Sequence, residues 1–418
     1  MKETLTVQRQ PISLPPSLDI SRPFTLLYKG ARGALLPRLF AQGLHEMMQT
    51  FPNCRLVGTD VCPPDELQSY MASTTDQQGH LLSDLPWAGF ACYQQRVIGK
   101  TIKAGALPIK IDGVIVGLPT YLHLSAAVEA ATQGLVVLVE KPLSMVHEVR
   151  AMQALGAKFP KLILATDFFL EHAVMSYLSQ IRNIGRIHTI NSFCLEPTDI
   201  ANENRGWLMQ PSLSGGGILI DCGSHTLAMQ EAALMLLKLS LDRASVRRVL
   251  LGRYKGAPGG PDVETAALVT AKVGDITLNT YVGKAVRERY YGLVAKGQQG
   301  EAEFFTGTEM RGAYVRLSVE GNTKIKLLDG EGLGYHRTAL NLVLAIFRNP
   351  PVGSLTLEDK LQACSVGIQT IGRAYDWHAR HGHMVEYQLG DTLPGSEGLV
   401  PEIDEASPVL ATKGIWGK

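Results

Sequence analysis

Two side chains suited to acid–base chemistry follow a run of three glycines near the middle of the chain. Gly215, Gly216 and Gly217 precede an apolar segment that carries Asp221 and His225, four residues apart. If this segment is helical, residues four apart lie on one face. A carboxylate beside an imidazole orients and tunes a proton-transfer group near neutral pH. The pattern predicts such a pair, and it is equally compatible with an ordinary helix N-terminus in which both side chains have structural roles.

A lysine follows a second buried segment, at a position where parallel sheets bind ligands. Residues 135–139 form an apolar, β-branched run typical of a buried strand, and the run ends at Glu140, Lys141 and Pro142. In an open parallel sheet, ligands bind beyond the carboxyl ends of the strands. We therefore expect Lys141 to lie at a binding site.

The N-terminal part of the chain has the outline of a dinucleotide-binding unit. An apolar strand pattern at residues 24–28 leads into a loop with Gly30 and Gly33, a helical pattern, and a second strand pattern ending at Asp60. This order is typical of such units. The glycine fingerprint is incomplete, because Tyr28 stands where the first of its three glycines is expected. The second and third glycines, which allow close approach to a pyrophosphate and close helix–strand packing, are present.

Composition sets limits on the class of protein. The chain has 418 residues, 45% of them hydrophobic and 19% charged, as expected of a globular protein with two or three domains. A net charge of +1 gives no basis for nucleic acid or an anionic membrane as partner. No apolar run reaches the roughly 20 residues of a membrane span, and the N-terminus has no apolar signal core, so we expect a cytoplasmic protein.

Cysteines and histidines show no metal-binding pattern. The six cysteines lie without metal-ligand or redox-pair spacing and are expected to be reduced thiols. The one histidine cluster, His378, His381 and His383, has no carboxylate or cysteine pattern beside it. The sequence therefore predicts no metal site.

The hydrophobic patterning predicts two kinds of sheet. Up to residue 145, nearly continuous apolar strands alternate with helices, which indicates a Rossmann-type parallel sheet covered on both faces. Beyond residue 145, most strand patterns alternate apolar and polar residues, which indicates a large, mainly antiparallel sheet. The fold class is thus an α/β domain followed by an α+β domain.

The same patterning divides the chain into four segments. We expect an N-terminal arm at 1–23, a dinucleotide-binding domain at 24–145, a substrate and oligomerisation domain at 146–387, and a tail at 388–418. Residues 79–95 are expected to be a loop and residues 96–106 a helix.

This combination resembles the glucose-fructose oxidoreductase/inositol dehydrogenase family (Gfo/Idh/MocA). The shared features are the N-terminal dinucleotide-binding domain, Glu140-Lys141-Pro142 after its fifth strand, and the triple glycine followed by Asp221 and His225. The resemblance extends from residue 24 to residue 385. Further matches are Pro119, Thr120 and His123 after the fourth strand, Gly185, Arg186 and Ile187 at the start of the second sheet, and Trp207, Pro211 and Ser214 before the glycines.

The resemblance implies an oxidoreductase that transfers a hydride between a nicotinamide and a carbinol or carbonyl carbon of a sugar, polyol or related small molecule. It assigns three catalytic residues. His225 would be the acid–base group, and Asp221 would orient it or bind a substrate hydroxyl. Lys141 would hydrogen-bond the reacting oxygen and stabilise developing alkoxide charge.

The cofactor implied is NAD, with NADP as the alternative. Asp60 would accept both ribose hydroxyls and repel a 2′-phosphate, which favours NAD. Arg32 and Lys29 lie close by and could bind that phosphate, and Asp60 is also compatible with a plain turn residue before two prolines. The residues predicted to bind the cofactor are Gly30, Arg32, Gly33, Asp60, Pro119, Thr120, His123, Glu140 and Lys141.

Two other functions remain open within the resemblance. Some relatives use a retained NAD to assist glycoside cleavage, and others bind nucleotide as sensors without turnover. Tyr28 and the segment 166–169, which lacks the polar and arginine residues common there, depart from the family pattern, as does Leu208 where arginine is frequent. A homodimer or homotetramer is expected, because sheets of this kind often pair across a subunit interface in the family.

Overall fold

The first sheet is built from short strands that are almost entirely buried, as the apolar runs predict. In the computed structural model the strand order is β3-β2-β1-β4-β5-β6, and all pairings are parallel. This is the order of a dinucleotide-binding fold, with its switch point between β1 and β4. The strands are β1 Phe24–Lys29, β2 Cys54–Asp60, β3 Trp87–Cys92, β4 Gly113–Val116, β5 Val136–Val139 and β6 Ile163–Ala165.

The structure describes most, but not all, of the chain. Most of the predicted arm, the predicted helix at 96–106 and the end of the predicted tail lie outside the described residues. The described ranges are 18–33, 36, 41–76, 79–92, 110–167, 170, 180–197, 206–257, 263–287, 289–305, 314–327, 335–350 and 355–401.

Helices cover both faces of the first sheet. The described helices that follow its strands are α1 Ala41–Thr50, α2 Pro64–Ser73, α3 His123–Thr132 and α4 Val149–Lys158. Two C-terminal helices, α8 Tyr335–Ile346 and α9 Leu357–His381, return to this region. Helix α8 packs against α1 and β5, while α9 packs against α4 and β6, so the end of the chain stabilises its beginning.

The second sheet has nine strands in the order β14-β13-β12-β11-β7-β10-β9-β8-β15. Its pairings are antiparallel except β7 with β10 and β8 with β15. The strands are β7 Ile187–Glu196, β8 Ser245–Tyr254, β9 Ala266–Val273, β10 Ile276–Lys284, β11 Tyr290–Gly297, β12 Gly300–Phe305, β13 Tyr314–Val319, β14 Asn322–Leu327 and β15 Val385–Tyr387. The predicted fold class, a parallel sheet followed by a mainly antiparallel one, is confirmed.

Three consecutive helices follow β7 in the chain, and the last two of them pack on the second sheet. They are α5 Pro211–Ser214, α6 Ile218–Asp221 and α7 Gly223–Leu236. Helix α7 packs on β7, β10 and β11, and its other side contacts the long helix α9. Every residue of α7 from Gly223 to Leu234 is buried, which places the segment after the three glycines between the sheet and the C-terminal helix.

One expectation about the first sheet is wrong. Residues 79–95 were expected to form a loop, but Trp87–Cys92 is the edge strand β3. Gly89 lies inside this strand, where its pairing with β2 shifts register between Leu56 and Val57. The side chains along the strand therefore do not follow a regular pattern, and the sequence did not indicate a strand here. The boundary between predicted domains at residue 145 stays a prediction, and β6 of the first sheet follows it in the sequence.

None of the described helices combines the length and apolar character needed to cross a membrane.

Candidate active site

The loop after β1 passes very close to the loop after β4. Gly30 has a φ of 84°, and a Cβ placed on it would lie 2.9 Å from the carbonyl carbon of Gly117 and overlap the oxygen. A Cβ on Gly33 would lie 3.0 Å from the Gly30 oxygen. Glycine is therefore required at Gly30, and any side chain at Gly33 would be tightly packed, at the switch point of the sheet where ligands of such folds bind.

Tyr28, at the position of the missing first glycine, is fully buried against Gly117. The Tyr28 hydroxyl lies 3.0 Å from the place that a Gly117 Cβ would take. Burial raises the pKa of Tyr28 well above its usual value, with Glu140 and Tyr70 adding to the effect. The ring thus fills the inside of the switch point, and the lack of a side chain at Gly117 accommodates it.

Asp60, at the end of β2, fixes the glycine loop. Its two carboxylate oxygens accept hydrogen bonds of 2.7 Å from the backbone N–H groups of Arg32 and Val61. Each oxygen retains a second lone pair, so these bonds leave acceptor capacity for hydroxyl groups.

The two cations near this loop have different surroundings. Lys29 is buried, and its Nζ donates to Glu129 Oε2 on α3 at 2.8 Å, so Lys29 is turned away from the loop. The Arg32 guanidinium is half-exposed, pairs with Glu66 and lies over the ring of Tyr70. Of the two residues expected to compete for a phosphate, Arg32 alone stays at the surface of the loop.

His123 joins the loops after β4 and β5. Its Nε2 lies 2.7 Å from the carbonyl oxygen of Leu118, and its Nδ1 lies 2.7 Å from that of Pro142. The ring is buried, and burial lowers its pKa although both carbonyls oppose the effect. Thr120 follows Pro119 in a 3₁₀ turn and is buried beside this bridge. The structure thus gives His123 a role in holding the Glu140–Pro142 segment in place.

Glu140 presents an unusual carboxyl group at the end of β5. Oε2 accepts the backbone N–H of Lys141 at 2.7 Å, whereas Oε1 is buried and has no hydrogen bond to any described residue. Burial raises the pKa of Glu140 to about 8, with smaller contributions from the charges of Asp167 and Asp221. The Glu140 carboxyl group therefore favours its protonated, neutral form at neutral pH.

Lys141 extends from the first sheet to the helices on the second. Its Nζ donates to Asp221 Oδ1 at 2.7 Å and to the Asp221 carbonyl oxygen at 3.2 Å. The Lys141 side chain keeps 18% of its surface exposed, and that of Asp221 keeps 5%. This contact places the ammonium group at the junction of the two sheets.

His225 pairs with a different acid from the one expected. Its Nδ1 lies 3.1 Å from Asp167 Oδ2, and both side chains are buried. Burial lowers the pKa of His225, and the Asp167 charge partly offsets this effect. The resemblance implied that Asp221 either orients His225 or binds a substrate hydroxyl. The acid that lies against His225 in the structure is Asp167, because Asp221 ends α6 and His225 lies in the separate helix α7.

Sequence reasoning missed two further groups that position the site. Glu264 is buried, and its Oε1 accepts the N–H groups of Gly217 and Leu219 at 3.1 and 2.9 Å and the Tyr375 hydroxyl at 2.7 Å. These bonds cap the N-terminal turn of α6, the helix that carries Asp221. A Cβ on Gly217 would lie 2.7 Å from the Glu264 carboxyl carbon, so glycine is required there.

A second polar network lies beside Asp221. Lys284 Nζ contacts Glu196 Oε1 at 2.6 Å, and the Tyr291 hydroxyl donates to Glu196 Oε2 at 2.7 Å. The buried thiols of Cys194 and Cys222 interact with each other, and the charge of Lys141 acts on Cys194. Glu196, Lys284 and Tyr291 come from the adjacent strands β7, β10 and β11, and no sequence pattern indicated them.

The predicted site residues therefore form two groups along one edge of the first sheet. Lys141, Asp221 and His225 lie together, since the charges of both Lys141 and Asp221 act on His225, and Glu140 interacts with the same charges. The remaining predicted cofactor residues lie in the loops after β1, β2 and β4. A nicotinamide dinucleotide fits this arrangement, because Glu140 Oε1 in the first group and Thr120 Oγ1 in the second are buried without a hydrogen bond to any described residue, and Asp60 has acceptor capacity at the end of β2.

Comparisons with known proteins agree with this arrangement. No protein-family model matches the sequence. The rhizopine catabolism protein MocA of Rhizobium meliloti is 25% identical over 182 residues, which are 42% of this chain and 53% of that protein. The match thus covers about half the length of that relative.

Solved structures share the fold over most of the chain. The 3-ketoreductase KijD10 of Actinomadura kijaniata, in complex with NADP and TDP-benzene, has a TM-score of 0.63 and 14% identity and covers 88% of this chain and 100% of its own. A levoglucosan dehydrogenase in complex with NADH and levoglucosan has a TM-score of 0.63 and 16% identity, covering 85% and 98%. The aldose-aldose oxidoreductase of Caulobacter crescentus, complexed with glycerol, has a TM-score of 0.62 and 18% identity, covering 85% and 98%. The predicted resemblance to the Gfo/Idh/MocA family is confirmed.

Proposed function

We propose that this protein, which has the fold of the Gfo/Idh/MocA oxidoreductases, is an NAD(P)-dependent dehydrogenase or reductase that acts on a CH–OH group of a sugar or polyol. The observation that carries the proposal is the pair of contacts Lys141–Asp221 and His225–Asp167, which together place a cation and an imidazole at the carboxyl edge of the first sheet. Structural neighbours bound to NADP or NADH support the cofactor.

The bound nicotinamide would supply hydride acceptance or donation at the reacting carbon. The loops after β1 and β4 would hold the dinucleotide, since Gly30 and Gly33 allow the backbone path that the switch point needs. We propose NAD as the favoured cofactor, because Asp60 would accept the ribose hydroxyls and repel a 2′-phosphate. The burial of Lys29 against Glu129 supports this preference by removing one of two candidate phosphate partners.

His225 would transfer the hydroxyl proton. With Nδ1 facing Asp167, the neutral imidazole keeps its Nδ1 proton, and Nε2 is the nitrogen that accepts the proton from a carbinol hydroxyl. The lowered pKa of His225 keeps the ring neutral at pH 7, as this base role requires. In the reductive direction, the protonated ring would return that proton to the carbonyl oxygen.

Lys141 would bind the reacting oxygen. Its ammonium group is held by two oxygens of Asp221, and the Lys141 side chain keeps 18% of its surface exposed, so a substrate oxygen would reach the ammonium from that side. A fixed positive charge stabilises developing alkoxide character without reorganisation. The polyhydroxy nature of the substrate is supported by the neighbours complexed with levoglucosan and with glycerol.

Cofactor binding is the first test. Purified protein is titrated with NADH and NADPH by nicotinamide fluorescence, and then assayed with aldoses, anhydrosugars and polyols for NADH formation. We expect NADH to bind at least about tenfold more tightly than NADPH, a difference of about 1.4 kcal/mol. Tight nucleotide binding with no turnover would favour the sensor function, and sugar cleavage without net NADH would favour the glycosidase function.

The roles of Lys141 and His225 are tested by Lys141→Met and His225→Asn. Each variant should lower kcat at least about hundredfold and change the nucleotide Kd less than about threefold. Lys158→Met, which alters an exposed lysine on α4, is the matched control and should retain the full rate. Rates equal to the unmodified enzyme in both site variants would refute the assignment.

A further inference from the structure

Outside the candidate active site, two histidines and an aspartate from separate elements meet at one point. His45 lies on α1, while Asp76 and His80 flank the short turn between α2 and β3. Their ligand-type atoms, one from each side chain, all lie within 4.8 Å of one another. Asp76 and His80 are four residues apart, but His45 lies far from them in the sequence, so the three do not form a recognisable ligand motif.

The distances suit a single small ion. His80 Nδ1 lies 3.2 Å from Asp76 Oδ2, and His45 Nε2 lies 4.0 Å from the same oxygen. A tetrahedral zinc ion with ligand bonds of about 2.0–2.2 Å separates its ligand atoms by about 3.3–3.6 Å. The first separation lies just below this range and the second lies above it, so a shift of a few tenths of an ångström would bring both into it.

The surroundings of His45 favour binding of a metal ion. His45 Nε2 is buried and has no hydrogen bond to any described residue. Such an orphaned nitrogen costs stability unless a partner is bound.

Asp76 also makes hydrogen bonds to neighbouring groups, as expected of an ordered metal ligand. Its Oδ1 accepts the backbone N–H of His80 at 2.9 Å, which fixes the carboxylate with Oδ2 toward the histidines. The Asp76 backbone N–H also donates to the His80 carbonyl oxygen at 2.8 Å. Outer contacts of this kind orient metal ligands in known sites.

We propose that His45, Asp76 and His80 bind a zinc ion, with water completing its coordination. Two imidazoles and one carboxylate are ligands that zinc takes in proteins, and hard cations such as Mg²⁺ prefer oxygen alone. The ion joins helix α1 to the turn before β3. It thereby stabilises the outer half of the first sheet, and this role is independent of the proposed oxidoreductase activity.

The test begins with full-length protein treated with chelator and then titrated with ZnCl₂ by calorimetry. CoCl₂ serves as a spectroscopic substitute, because a tetrahedral Co²⁺ site absorbs visible light strongly. We expect one equivalent to bind and to raise the Tm. His80→Ala should weaken zinc affinity at least about tenfold and abolish the Tm increase. Since His80 is exposed, this variant keeps the fold, whereas His45→Ala alters a partly buried site and is the second variant.

His383→Ala is the matched control, because His383 belongs to the other histidine cluster and is exposed. This control should bind zinc like the unmodified protein. Unchanged affinity in His80→Ala and His45→Ala would overturn the proposal, as would binding that is lost in His383→Ala. Absence of any binding by the unmodified protein at micromolar zinc would overturn it as well.

Discussion

Lys141 and Asp221 connect the two sheets through a bidentate contact, in which one ammonium group donates to both the carboxylate and the carbonyl oxygen of the same residue. Lys141 follows β5 of the first sheet, and Asp221 ends the helix α6 that packs on the second. The geometry of the candidate site therefore depends on both sheets. A change that weakens this contact is expected to affect both stability and catalysis.

The Lys141–Asp221 contact is expected to show energetic coupling in a double-mutant cycle. Asp221→Asn removes the negative charge that pairs with the largely buried Lys141 ammonium group, so it should cost about 2 kcal/mol of unfolding free energy. In a Lys141→Met background the same change should cost less, with a coupling energy of about 1–3 kcal/mol. Urea unfolding of the unmodified protein, the two single variants and the double variant measures this coupling energy. The exposed pair Arg186–Asp275 is the control cycle, and its coupling should stay below about 1 kcal/mol.

Asp167→Asn should alter the pH profile as well as the rate. Asp167 orients His225 and its charge raises the pKa of the imidazole, in opposition to burial. Removing that charge lowers the pKa of His225 further, so the acidic limb of the oxidation rate should move to lower pH. The rate should also fall at least about hundredfold, because the neutral ring loses its fixed tautomer. Steady-state kcat across the pH range measures both effects.

The control for this prediction is Asp275→Asn, which removes an exposed carboxylate. It should leave both the rate and the profile unchanged. If Asp167 had only a structural role, Asp167→Asn would lower the fraction of folded enzyme without moving the acidic limb.

Glu140 should make the protein less stable as the pH rises. Its folded pKa of about 8 lies above the ordinary value of 4.5, so between these values the folded state binds more protons than the unfolded state. The free energy of unfolding therefore decreases as pH rises through this window and levels off above about pH 8. Glu140→Gln cannot ionise and should lose this component of the pH dependence.

Urea titrations at pH 5.5, 7 and 8.5 compare Glu140→Gln with the unmodified chain and with Glu386→Gln, an exposed control. The control should follow the unmodified protein at every pH. If the free energy of unfolding of Glu140→Gln had the same slope against pH as that of the unmodified protein, ionisation of Glu140 would have no effect on stability.

The sequence was sufficient for the two kinds of sheet and for the position of Lys141 after a buried strand, because these depend on local signals. Buried strands leave continuous apolar runs, and the groups after them must lie at one edge of a parallel sheet. Lys141 was found in this way. Asp167 carries the same signal, an acid two residues after the buried strand β6, and inspection of the strand ends alone would have found it.

The partners of those residues were not predictable, because they depend on long-range packing. Glu264 lies in a loop between strands of the second sheet and reaches the start of α6, and Tyr375 reaches the same carboxylate from α9. The break between α6 and α7 was also not predictable from the sequence. A spacing of four residues predicts a shared helical face only if the helix is continuous, and here Cys222 separates the two helices.

Gly30 should tolerate alanine much less well than a glycine of similar backbone conformation in open space. Gly30 and Gly134 have φ angles of 84° and 74°, so alanine at either position meets a similar backbone strain. A Cβ at Gly134 has no atom within 4 Å, whereas one at Gly30 overlaps the backbone of Gly117. Gly30→Ala should therefore lose about 1–3 kcal/mol more unfolding free energy than Gly134→Ala.

The two glycine variants should also separate folding from nucleotide binding. Gly30→Ala forces apart the loops after β1 and β4, where we propose that the dinucleotide binds, so its affinity for NADH should fall at least about hundredfold. Gly134→Ala, after α3, should bind NADH within about twofold of the unmodified protein. Fluorescence titration under conditions where both variants are folded measures this difference. Equal NADH affinity in the two variants would place the nucleotide elsewhere than at the switch point between β1 and β4.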